Sequence, residues 1–182
     1  MQKSTPAGRP RSDLNATVFA ATLRSVRELG YTGATMDRIA AAAGVAKTTL
    51  YRRWPSKGAL IVDCLLDAIG LVPLEGDTRD AMLETAVRWA ADRIGEPGVG
   101  AAFAGVFSEA INDPELRELL NTRFQAPYLA VLREALHEPD QRILLVVDVI
   151  AGTLLHRLGI SGRPMVEADV EALIAMVQSA LR

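Results

Sequence analysis

Apolar positions recur along this chain at three- and four-residue spacings, and nowhere in the strict alternation of a half-buried strand, so the pattern predicts an all-α protein. The first helix runs from Ser12 or Asp13 to Leu29, with Leu14, Val18, Ala21, Val26 and Leu29 inward and Gly30 ending it. Two short helices follow, from Thr35 to Ala43 and from about Lys47 to Arg53. A fourth, from Lys57 to Ile69, carries Leu60, Ile61, Cys64, Leu65 and Ala68, and Gly70, Pro73 and Gly76 close it. Asp77 is positioned to cap a fifth helix to Ile94, its inner side Ala81, Met82, Ala86, Trp89, Ala90 and Ile94. A sixth spans about Ala101 to Ile111. Asn112 or Asp113 caps a long seventh with Pro114 in its first turn and a kink expected at Pro127. From Asp140 to Leu158 the chain is apolar almost all round, and a last helix carries Val166, Val170, Leu173, Ile174, Val177 and Leu181 as a narrow stripe.

The run from Thr35 to Lys57, TMDRIAAAAGVAKTTLYRRWPSK, is the most specific stretch. Thr35 is a good N-cap, Ile39 and the alanines 40–43 make a small-residue helix, and Gly44 suits the left-handed residue that ends it. Val45 fits the angle between the two helices. Leu50 and Trp54 then face inward, while Lys47, Thr48, Thr49, Tyr51, Arg52 and Arg53 offer hydroxyls and guanidinium groups to base edges and phosphates. Pro55 stops the helix and Ser56 caps the next. This is a helix-turn-helix, and it points to double-stranded DNA.

Charge agrees with that reading. Residues 1–60 hold 10 Lys/Arg against 3 Asp/Glu, a net of +7, whereas the remainder holds 10 against 19, so the overall −2 conceals a basic end. Residues 1–11 read as a basic arm, either a solvated tail without a role or a segment whose Arg9 and Arg11 make minor-groove or phosphate contacts.

At these residues the chain resembles the tetracycline-repressor (TetR) family of bacterial transcription regulators. The resemblance rests on Thr35, Ile39, Ala40, Gly44, Leu50, Tyr51, Trp54, Ser56 and Lys57, and upstream on the Gly30, Tyr31, Thr32 connector. It implies nine helices in two domains: an arm and DNA-binding head over 1–56, and a helical effector-binding and dimerisation body over 57–182. Thr35, Tyr51 and Lys57 are then expected on phosphates, with Lys47, Thr48, Thr49 and Arg52 nearest the bases.

The resemblance also implies a pocket for a small apolar or aromatic effector. The candidates are Trp89, Phe103, Phe107, Phe124 and Tyr128, with Met82 and Leu132 beside them and Asn121, Gln125, Thr153 and His156 as polar groups; the same rings packed as solid core are the alternative. Helices eight and nine carry more apolar surface than one small domain covers, so pairing with a second copy in a four-helix bundle is expected. Val149, Leu154, Val170, Leu173, Ile174 and Val177 are the candidate interface. The function that follows is a homodimeric repressor released from a pseudo-palindromic operator by a small ligand. An effector-independent DNA-binding or architectural protein of the same fold is the alternative.

Other classes are disfavoured. No Ser/His/Asp or Cys/His grouping, phosphate loop or metal motif is present, so neither an enzyme nor a cofactor is expected. Glu109 and Asp113, four apart, read as an exposed acidic pair. Cys64 is the single cysteine and reads as a buried, inert thiol. Asp148 and Arg157 interrupt the apolar run too soon for a membrane span, and the N-terminus lacks a signal peptide's apolar core, which makes a cytoplasmic protein the expectation.

Overall fold

The computed structural model describes residues 11–181, and among these the chain forms nine helices and no strand. They are α1 (Arg11–Gly33), α2 (Met36–Ala43), α3 (Lys47–Arg53), α4 (Lys57–Ile69), α5 (Arg79–Gly95) and α6 (Val99–Ala110), followed by α7 (114–136), α8 (Asp140–Ser161) and α9 (Glu167–Ala180). The basic arm, with Arg9, lies outside the described residues except for Arg11, which opens α1.

The local signals act where they were expected. Gly30 adopts φ 69° and breaks α1. Gly44, at φ 66°, closes α2 with a double bond pattern, Gly44 N–H to the Ala41 carbonyl and Val45 N–H to the Ala40 carbonyl. Thr35 accepts from the Arg38 amide, Ser56 from Ala59, and Asp113 from both Glu115 and Leu116. Thr78, not Asp77, caps α5 by accepting from the Ala81 amide at 3.2 Å. The inner side of α5 also differs from expectation. Leu83, Ala86, Val87 and Ile94 are buried, while Met82 and Trp89 are half-buried.

The kink expected at Pro127 is instead a π-helical turn, Asn121–Gln125, set between Pro114–Leu120 and Ala126–Leu136. Pro127 has no N–H and its ring crowds the carbonyl four residues back. The helix responds one residue earlier, where the Ala126 amide reaches the Asn121 carbonyl, five residues back. The Thr122 hydroxyl donates to the Glu118 carbonyl at 2.8 Å, feeding the loosened ladder locally.

One contiguous core joins head and body. Ile39, Leu50, Leu60, Ile61 and Leu65 are fully buried around the helix-turn-helix and α4, and Val87, Val106, Ile143 and Leu173 continue that core through the body. The α9 stripe lies inside it. Leu154, Val170, Leu173, Ile174 and Val177, expected to face a second copy, are at most 6% exposed in the single chain, because α9 packs on α5 and α8. Of the interface candidates only Val149 is exposed. The outward apolar groups of this flank are Leu145, Val149 and Ile160 on α8 and Met176 on α9.

The α9 terminus is tied down by cations. Arg79 donates to the Leu181 carbonyl and Arg142 to the Ala180 carbonyl, both at 2.6 Å, while Glu138 pairs with both guanidinium groups. By length and composition α8 is long and apolar enough to cross a membrane, which corrects the expectation that Asp148 and Arg157 exclude this.

Candidate nucleic-acid interface

α3 is anchored from below. Leu50 is 1% exposed and Trp54 4%, and the Trp54 ring packs on Phe19 at a centroid distance of 5.8 Å. With these two residues inward, the helix turns Lys47, Thr48, Tyr51 and Arg52 to solvent, with Thr49 half-buried among them. Thr35 is exposed at the start of α2. Hydroxyls, an ammonium, a guanidinium and a phenol thus share one outward surface, a set that reads bases and holds phosphates.

Two predicted contacts are engaged elsewhere. The Arg53 guanidinium lies 5.1 Å from the centroid of the Trp54 ring, folded back on the anchor. Lys57 points away from the outward surface. Its Nζ donates to the Tyr31 carbonyl at 3.1 Å, sits 3.8 Å from the Tyr31 ring centroid and lies 3.9 Å from Glu109 Oε2. Tyr31 in turn donates its hydroxyl to Glu109 at 2.7 Å. Burial, then the bond to Glu109, raise the Tyr31 pKa and keep the phenol a donor. Lys57 is therefore part of the joint between head and body in this structure. The ring of Tyr31 rests on Gly105 of α6, where any Cβ would overlap it.

Several residues that sequence reasoning passed over shape this surface. Asp37 holds the Lys47 ammonium at 2.5 Å, with both side chains more than half exposed. Arg24 donates to the Ala42 carbonyl at 3.4 Å, and Arg38 to the Gly33 carbonyl at 3.1 Å, clamping the ends of α2 and the α1–α2 connector. The excess of arginine in the first third was the available signal. No sequence pattern marks Asp63, which accepts from Trp54 Nε1 at 2.9 Å and pairs with Arg123 of α7.

In the body the five candidate aromatics form a continuous ladder. Centroid distances are 6.3 Å for Trp89–Tyr128, 5.0 Å for Tyr128–Phe124, 5.4 Å for Phe124–Phe103 and 5.5 Å for Phe103–Phe107. The rings touch one another. An open depression of about 470 Å3 lies beside α5, lined by Pro73, Thr85, Arg88, Trp89, Asp92 and Arg93, and Trp89 is the one rung that borders it. Leu132 is buried next to the ladder, whereas Asn121, Gln125 and His156 are exposed and Thr153 half-buried. The Tyr128 hydroxyl donates to the carbonyl of Gly70, the residue that caps α4.

A helix-turn-helix head with an outward basic and hydroxylic surface, carried on an all-helical body, defines a DNA-binding transcription regulator. Residues 18–64 match the model of bacterial regulatory proteins of the tetR family, and residues 72–177 that of the tetracyclin repressor-like C-terminal domain. The HTH-type transcriptional regulator Rv1556 of Mycobacterium tuberculosis is 30% identical, over 91% of this chain and 86% of its own. Two solved structures share the fold. They are the fatty acid degradation regulator FadR from Bacillus halodurans, with TM-score 0.71, 18% identity, and 91% and 96% of the two chains covered, and the multidrug binding protein EbrR complexed with imidazole, with TM-score 0.62, 18% identity, and 93% and 96% covered. The chain belongs to the TetR family.

Proposed function

We propose that this regulator is a cytoplasmic homodimeric repressor that leaves a pseudo-palindromic operator when a small apolar, aromatic molecule enters the ladder of the body. The head, residues 1–56, supplies the reading surface, and residues 57–182 supply the effector site and the dimer contact, with α4 as the joint. Tyr128 carries the reading: one side chain is both a rung of the ladder and the donor that holds the α4 cap at Gly70. A planar ligand that displaced Tyr128 would release that end of α4, whose other end is separated from the recognition helix by three residues.

The likeness to EbrR, described as a multidrug binding protein, and to FadR, described as a fatty acid degradation regulator, supports an apolar ligand class. Linkage requires the ligand to prefer the arrangement that does not bind DNA, and a 100-fold loss of affinity corresponds to about 2.7 kcal/mol of coupling. Dimerisation is supported by the exposed apolar groups Leu145, Val149 and Ile160 of α8 and Met176 of α9, which a second copy would cover in a four-helix arrangement.

A second reading, DNA binding without an effector, is favoured by the direct ring-to-ring contact along the ladder. The test is to select duplexes from a random pool with the purified protein, then screen planar apolar compounds for a raised melting temperature and release of the selected duplex. Compounds that do both support the repressor. Selection of a duplex with no compound doing either supports the second reading.

A further inference from the structure

We propose that Arg123 and Asp63 are positioning residues for the DNA-reading helix, passing the register of the π-helical turn in α7 to α3 through the indole of Trp54. Three contacts in series make the relay. Trp54, one residue beyond the end of α3, donates its indole N–H to Asp63 Oδ2 at 2.9 Å. The other oxygen of the same carboxylate, Oδ1, receives Arg123. Arg123 belongs to the π-helical turn Asn121–Gln125.

Each link has a physical reason to transmit. Trp54 is 4% exposed, so its N–H has no ready supply of water, and loss of Asp63 would leave a buried donor without a partner. Asp63 is fixed at both oxygens, so a pull on one reorients the other. The carboxylate sits between two domains, with its head-side partner buried and its body-side partner about half exposed. An exposed ion pair alone contributes little stability. Its value here is geometric, because it decides where the acceptor of a buried donor stands.

The far end of the relay is an irregular element, the π-helical turn itself. Closing a π turn to regular α geometry rotates the side chains on one side of it by about 100° relative to those on the other. Arg123 and its neighbour Phe124 both ride on that turn, and Phe124 is a rung of the aromatic ladder, 5.4 Å from Phe103 and 5.0 Å from Tyr128. Any rearrangement at Phe124 therefore moves Arg123. This route differs from the Tyr128 bond to Gly70, since it crosses α4 at Asp63 and ends at Trp54, directly after the recognition helix.

The experiment follows the Trp54 indole N–H in 1H–15N spectra of the 182-residue chain, which has two tryptophans, with Trp89→Phe used only to assign the two signals. Arg123→Ala should move the Trp54 signal with the melting temperature unchanged, Arg123→Lys should return it part of the way, and Pro127→Ala, which lets the turn close, should move it as well. On a duplex selected by the wild type, Arg123→Ala should lower affinity about threefold or more. Affinity for an unselected duplex should stay the same. A Trp54 signal that ignores Arg123→Ala and Pro127→Ala while responding to Asp63→Asn would overturn the relay, as would a moved signal with unaltered affinity for the selected duplex. The affinity arm rests on the DNA-binding reading. If the wild type selected no duplex, that reading would fall, and the indole signal would decide the relay by itself.

Discussion

The ammonium of Lys57 is 3.8 Å from the centroid of the Tyr31 ring and donates to the backbone carbonyl of the same residue at 3.1 Å. One side chain at the start of α4 thereby fastens the α1–α2 connector, and through Glu109 both residues are joined to α6. Lys57→Met should cost about 1 kcal/mol of stability, since the contacts are partly exposed and their electrostatics discounted accordingly. The salt dependence of DNA binding should not change. A flatter salt slope in this variant would put Lys57 on a phosphate instead.

Asp37 offers the opposite test. Its carboxylate holds the Lys47 ammonium, so a phosphate approaching Lys47 would first have to displace it. Asp37→Asn should strengthen binding to any duplex and steepen the plot of log affinity against log salt by up to about 0.9. Titrations at several salt concentrations check this, and an unchanged slope would mean that Lys47 stays clear of the backbone.

Cys64 should be silent at neutral pH. Burial above all, then the nearby Asp67 and Asp63, push its thiol up to about 12 from the ordinary 9.0, and it donates to the Phe19 carbonyl at 3.5 Å. Between those two values the folded chain keeps a proton that the unfolded chain gives up. The thiol's contribution to stability is therefore intact below pH 9 and lost as pH rises toward 12. Thiol-reactive reagents at about pH 8 should label the protein only after denaturation. Rapid labelling of native protein would contradict the burial.

Much of the head was legible because its signals are local. Thr35, Gly44 and Ser56, and likewise Asp113 in the body, act on amides or dihedrals within a few residues, so a short window contains cause and effect. The joint made by Lys57 was not legible, because its partners, Tyr31 and Glu109, are 26 and 52 positions away, and nothing in its neighbourhood marks a cation that meets a ring. The α9 stripe was recognised as apolar but given the wrong neighbour. Val170, Leu173 and Val177 specify burial without an address, and α5 of the same chain takes the place assigned to a second copy. At Pro127 the disturbance was foreseen and its form was not, because a missing N–H can be met by a kink or by a π turn, and packing decides between them.

The measurement that bears most directly on the DNA-reading role of α3 is hydroxyl-radical footprinting on a duplex selected by the wild-type protein. Two protected tracts with centres roughly 34 Å apart are expected from two copies of α3 related by a two-fold axis. Thr49→Ala should relax preference at one position in each tract by about 1 kcal/mol without altering their spacing. A single protected tract, or a footprint and base preference indifferent to Thr49, Tyr51 and Arg52, would contradict the account.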